Sequence, residues 1–135
     1  MTDRPSKTEM MLQMAEVVAQ RAVCSREVRV GGIISNWECD NVLAIGYNGP
    51  PRGRPHRCSA MPGACGCVHC ETNLLIKAPY GAEPLRMFLT LSPCAACTAL
   101  ILNSAVRDVT FRTAYRDTSH LQMLRDAGIT IGNAL

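Results

Sequence analysis

Apolar residues recur along this chain with two different periods, and the switches between them outline the fold. After "SKTE" (6–9), Met10, Met14, Val17, Val18 and Ala22 fall at helical spacing, predicting an amphipathic helix over 6–23. Ser6 and Glu9 have the capping-box spacing that starts such a helix. The period then changes. "VRVGGIIS" (28–35) and "NVLAIGYN" (41–48) are β-rich runs joined by the polar "NWECD", a hairpin pattern.

Residues 48–68 hold Gly, Pro, Arg and Cys with no period, a loop long enough to be functional or pinned. A second helix is predicted from His69 to about Ala78, ended by "PYG", followed by the buried strand "LRMFLTL" (85–91). Ser92 as cap and Pro93 at the first helical position predict a third helix. "VRDVTFRT" (106–113) is a strand, Ser119–Ala127 a helix with Gly128 beyond its end, and "ITIGN" (129–133) the last strand. The order αββαβαβαβ predicts a single α/β domain over 1–135, with helices on both faces of a mixed five-stranded sheet and right-handed crossovers.

Composition narrows the function. With 47% apolar residues the chain can bury an ordinary core, while 4% aromatics leave the filling to aliphatic side chains and methionine. A net charge of +3 admits a small anionic ligand but lacks the basic stripe expected of a nucleic-acid binder. No apolar run reaches membrane-spanning length, and "MTDRPSKTEMM" lacks the pattern of a secretory signal. A reduced, cytoplasmic protein is therefore expected. Its eight cysteines then point to metal rather than disulfides.

Cys94 and Cys97 lie three apart at a predicted helix start, on one face, where the helix amides favour thiolate. With His69 they form a three-ligand set that suits zinc and leaves its fourth tetrahedral position for water. Glu71, two residues from His69, is off that ligand line and can carry protons beside the water. A structural zinc site has no use for such a carboxylate. Taken singly, Cys-x-x-Cys could be half a structural knot or a redox pair. The two motifs together point to catalysis.

His-x-Glu followed by Pro-Cys-x-x-Cys, here "HCE" and "PCAAC" with 22 residues between Glu71 and Cys94, resembles the zinc nucleoside and nucleotide deaminases. "GYNGPPRGRPHRC" (46–58) and "FLTLSPCAAC" (88–97) resemble the deoxycytidylate (dCMP) deaminases, as do "YRD" (115–117) and "LRDAGITI" (124–131). The resemblance runs from about residue 10 to the C-terminus. It implies a cytidine deaminase-like three-layer αβα sandwich and zinc-dependent hydrolysis of dCMP to dUMP and ammonia, with 5-substituted dCMP a further substrate. Glu71 would take a proton from water, protonate the ring nitrogen and help ammonia leave.

The resemblance also implies substrate contacts at Asn48, Tyr115 and Arg116. Arg26, Arg29 and Arg116 are the candidates for the phosphate, since a guanidinium fork fits phosphate oxygens. Cys70 stands where alanine is usual and should point into packing. Many relatives hold a structural zinc in this loop, which makes Cys24, Cys58, Cys65 and Cys67 candidate ligands, with His56 an alternative. Cys39, in the hairpin turn, is left out. Relatives further imply a homo-oligomer, often a hexamer, and dCTP and dTTP as effectors. The alternatives are a tRNA adenosine or free cytidine deaminase, opposed by the phosphate-type loop and, for tRNA, by the small charge. A non-enzymatic zinc module holding nucleic acid is opposed by Glu71.

Overall fold

The structure, a computed structural model of the chain, describes residues 3–23, 28–55, 66–81, 83–115 and 117–133. Its elements run in the expected order: α1 (Lys7–Ala19), β1 (Gly31–Ser35), β2 (Val42–Tyr47), α2 (Cys70–Lys77), β3 (Leu85–Leu91), α3 (Ala95–Leu102), β4 (Val106–Thr113), α4 (Leu121–Asp126) and β5 (Thr130–Asn133). The strands form one sheet in the order β2-β1-β3-β4-β5. β1 pairs antiparallel with β2 and with β3, while β3–β4 and β4–β5 are parallel. The parallel pairs are linked through α3 and α4, as a parallel connection requires.

Side chains alternate across the sheet and build two cores. On one face, Ile33 and Phe88 pack against Met11, Leu12 and Ala15 of α1. On the other, Ile34, Met87, Leu89, Val109 and Phe111 meet Leu74 of α2, Ile101 of α3, and Leu121 and Leu124 of α4. The expected mixed sheet with helices on both faces is therefore present, with α1 opposite the other three.

Three local expectations change. The helix predicted over 6–23 ends at Ala19, and its predicted inner residues Met10, Met14 and Val17 are exposed, Val17 at 63%. The apolar residues cover more than half of the helix's circumference, and the stripe of Met11, Leu12 and Ala15 wins because it meets Ile33 and Phe88. Ser6 does cap, accepting from Glu9 N–H at 3.0 Å. The Glu9 carboxylate, however, takes a two-point pair from Arg112 at 2.7 and 2.9 Å, a stronger arrangement than a reach back to the cap amide. Third, Ser92 does not cap α3. Its N–H donates to Thr113 O (2.8 Å) and its Oγ accepts from Tyr115 N–H (2.9 Å), so the helix starts later, with Cys94 as N-cap.

One close approach positions the site. Gly32 and Gly46 face each other across the β1–β2 hairpin. A Cβ at Gly32 would stand 2.6 Å from Leu74 Cδ1, and one at Gly46 2.9 Å from Leu74 Cγ. Their missing side chains let α2 lie directly on the strands.

Candidate active site

Two helix N-termini converge on one spot. His69 is the N-cap of α2 and Cys94 that of α3, both in extended conformation. Cys97 lies one turn into α3 and is buried. The Cys94 and Cys97 sulfurs each stand 3.5 Å from His69 Nδ1. A tetrahedral zinc with its usual bond lengths has N···S edges of about 3.6 Å, so the donors already have the spacing the ion needs. Among the described residues, these three form the cluster of donors close enough to share one ion. Soft sulfur with imidazole nitrogen is a zinc donor set.

The thiols behave as a pair. The facing Cys97 thiol, and then His69, push the Cys94 thiol down, while its hydrogen bond with Cys94 and its own burial push Cys97 up. One thiolate is thus held readily without metal. A divalent cation would draw off the second proton.

Glu71, in the first turn of α2, is buried at 4% exposure. Burial pushes its carboxyl up to about 7; a hydrogen bond with Cys97 opposes this. Thr72 Oγ1 lies 3.8 Å from Cys97 Sγ. Cys70 turns away from the ligands as expected: it is fully buried, its Sγ donating to Gly46 O at 3.2 Å.

Asn48, at the end of β2, is buried, and both ends of its amide are engaged. Oδ1 accepts from Val30 N–H at 2.8 Å and Nδ2 donates to Val28 O at 3.2 Å, so it clamps the segment holding the exposed Arg29. The next residue, Gly49, forms a two-bond bridge with Val68, the neighbour of His69. Asn73 Nδ2 donates to Tyr47 O at 2.9 Å, tying α2 to the same strand end. Tyr115 is partly exposed beside Ser92. Cys67 Sγ donates to Val23 O at 3.5 Å, bringing it beside the chain that leads to Cys24. Cys24, Arg26, His56, Cys58, Cys65 and Arg116 lie outside the described residues.

The sequence reading missed His120, whose Nε2 reaches Pro93 O beside Cys94. No motif marks it.

The family model described as "Cytidine and deoxycytidylate deaminase zinc-binding region" matches residues 5–113. The chain belongs to this family. Within the family, the chain is 32% identical over 142 residues to the deoxycytidylate deaminase of Saccharomyces cerevisiae, a match covering 95% of this chain. It spans only 45% of that yeast protein's length. The deoxycytidylate deaminase of Mycobacterium phage D29 is 33% identical, the match covering 80% of this chain and 95% of the phage protein. The crystal structure of dCMP deaminase from the cyanophage S-TIM5 in complex with dCMP and dUMP has a TM-score of 0.82 to this chain at 27% identity, covering 98% of this chain and 100% of that one. Zinc-binding deaminase chemistry and the deaminase fold thus agree with the His-Cys-Cys cluster. Among the described residues, no helix is long and apolar enough to cross a membrane.

Proposed function

We propose that this protein hydrolyses dCMP to dUMP and ammonia, using His69, Cys94 and Cys97 to hold zinc and Glu71 to move protons. The observation that carries the reading is Glu71 itself, a buried carboxyl held near neutrality beside an open three-donor cluster. Zinc, when bound, supplies the positive charge that brings the pKa of water to roughly 7. Glu71 accepts the proton that water gives up and delivers it to the ring nitrogen next to the amine-bearing carbon. Water's oxygen bonds to that carbon, and its second proton passes through the same carboxylate to the amine, which leaves as ammonia as the C–N bond breaks and the carbonyl forms. Burial in the metal-free protein holds this carboxyl above the ordinary carboxylate range, in keeping with a group that both takes and returns a proton.

Similarity to dCMP deaminases over nearly the whole chain supports dCMP as substrate. Asn48, Tyr115 and Arg116 are assigned to the nucleotide, and Arg26, Arg29 and Arg116 to its phosphate. The Asn48 clamp on residues 28–30 supports this by tying the Arg29 segment to the loop that precedes His69. A second, structural zinc is assigned to Cys67 with Cys24, Cys58 and Cys65, His56 being an alternative to any one of them. The approach of Cys67 to Val23 supports that set.

For the effectors dCTP and dTTP, the supporting feature is a hollow of about 490 Å³ whose lining includes Arg21, Tyr47, Arg52, Arg54 and Lys77. Exposed Ile76, Tyr80 and Leu100 around the α2–α3 groove support a homo-oligomer, with a hexamer the form expected. Free thiols as ligands support a reducing, cytoplasmic setting.

The test is ammonia release from dCMP, dCTP, deoxycytidine and cytidine in parallel. dCMP should be much the best substrate, and Arg116→Ala should raise KM for dCMP more than for deoxycytidine. Comparable kcat/KM for dCMP and deoxycytidine would overturn the phosphate assignment.

A further inference from the structure

His120 is the N-cap residue of α4, and its Nε2 stands 2.6 Å from the carbonyl oxygen of Pro93. A carbonyl can only accept, so Nε2 carries the proton and donates it. Pro93 directly precedes Cys94. Its ring fixes φ, which leaves ψ of Pro93 and φ of Cys94 as the soft backbone torsions on either side of the Pro93–Cys94 peptide. A donor held on the Pro93 carbonyl fixes the plane of the Pro93–Cys94 peptide, and so restrains both.

The other ties on this turn act elsewhere. Ser92 is bonded to Thr113 and Tyr115, one residue too early to hold that peptide. The Cys94 carbonyl accepts from Thr98 N–H and Thr98 Oγ1, both at 2.9 Å, which fixes the downstream side. His120 supplies the upstream side. The other two ligands are held by the backbone around them, Cys97 within α3 and His69 between the Val68 bridge and the Asn73 N–H bond to its own carbonyl. The imidazole is itself anchored. Leu121 and Leu124 are buried in the core, and Asp117 accepts from Ser119 N–H and Oγ to fold the turn before it.

We propose that His120 is a positioning residue of the metal centre, holding Cys94 through the Pro93 carbonyl at the spacing from His69 and Cys97 that one tetrahedral ion requires. The proposal rests on the zinc reading of the site, and its test reads metal rather than turnover. The unmutated protein is compared with His120→Ala, His120→Gln and His120→Met. Zinc retention against a competing chelator and the absorption bands of the cobalt(II)-loaded protein are measured for each. Ala and Met should hold zinc about tenfold more weakly and shift the cobalt bands. Gln, which offers an N–H at similar reach, should restore both.

If His120→Ala fails to fold, the Gln and Met pair decides. Equal zinc affinity and equal cobalt spectra for Gln and Met, or for Ala and the unmutated protein, would overturn the proposal. An unmutated protein that binds zinc but does not deaminate dCMP would sink the substrate reading while this comparison still stands. One that binds neither metal would overturn both.

Discussion

Gly49 and Val68 exchange both backbone hydrogen bonds, Val68 N–H donating to Gly49 O at 2.7 Å and Gly49 N–H to Val68 O at 3.2 Å. This two-bond bridge closes the loop between them and fixes the residue before His69. The end of β2, which carries Asn48, is thereby joined to the start of α2, which carries the histidine and Glu71. The proposed nucleotide loop and the candidate metal centre are joined through the main chain.

Glu71→Gln should keep zinc and fold while lowering dCMP turnover at least about a hundredfold, because the amide cannot accept a proton. Steady-state rates and elemental analysis on the same preparation check this. Loss of metal would make Glu71 a ligand, and more than a few per cent of residual activity would remove its proton-carrying role.

Metal-free protein should show a pH signature of the same carboxyl. Folded Glu71 titrates near 7 and the ordinary side chain near 4.5, so the folded state holds more protons between those values. Stability therefore falls as pH rises through that window and stays lower above it. Glu71→Gln lacks the charge. Its stability relative to the unmutated protein should grow from pH 4 to pH 8 by on the order of 3 kcal/mol. Chelator-treated thermal melts at both pH values test this; the same difference at both would mean the carboxylate is not desolvated.

Gly31→Ala should loosen α1 from the sheet. The new Cβ would lie 2.3 Å from both Ala15 O and Ala19 N, backbone atoms that cannot turn aside. A loss of about 3 kcal/mol, or roughly 10 °C in Tm, is expected. Gly81→Ala, where nothing lies within 4 Å, is the control and should melt within a degree or two of the parent. Matching melts for the two variants would contradict the packing of α1.

Protein purified without chelator should contain about two zinc ions per chain. Cys94→Ala should lose one of them together with all activity. Cys67→Ala should lose the other, with a lower Tm and some residual activity. A count of one in the unmutated protein would remove the structural site, and thiol titration should then find its cysteines reduced.

Much of this molecule is local, and the local part was legible. The β-rich runs at 28–35 and 41–48 and the helix signals at 69–78 and 119–127 depend on neighbours within a few residues. They set the element order without knowledge of the fold. The candidate ligands were legible for the same reason. His-x-Glu and Cys-x-x-Cys are short motifs at helix starts, where backbone amides and one-turn spacing dictate their geometry. One-turn spacing sets Cys94 and Cys97 side by side at the start of α3, whereas His69 joins them only because the starts of α2 and α3 pack together.

What tertiary structure decided were the choices among partners far apart in sequence. Helix α1 is apolar on several sides, and only contact with Ile33 and Phe88 selects Met11, Leu12 and Ala15 over Met10, Met14 and Val17. Glu9 forgoes its own cap because Arg112 arrives from β4 with a two-point donor. Ser92 leaves its helix because Thr113 and Tyr115 occupy its amide and hydroxyl. His120 meets Pro93 only because the parallel β3–β4 pair carries the start of α4 back beside the start of α3. Local sequence fixes torsions and periods. The pairing of strands and the docking of helices determine which polar groups face each other, and those contacts form only once the chain has closed.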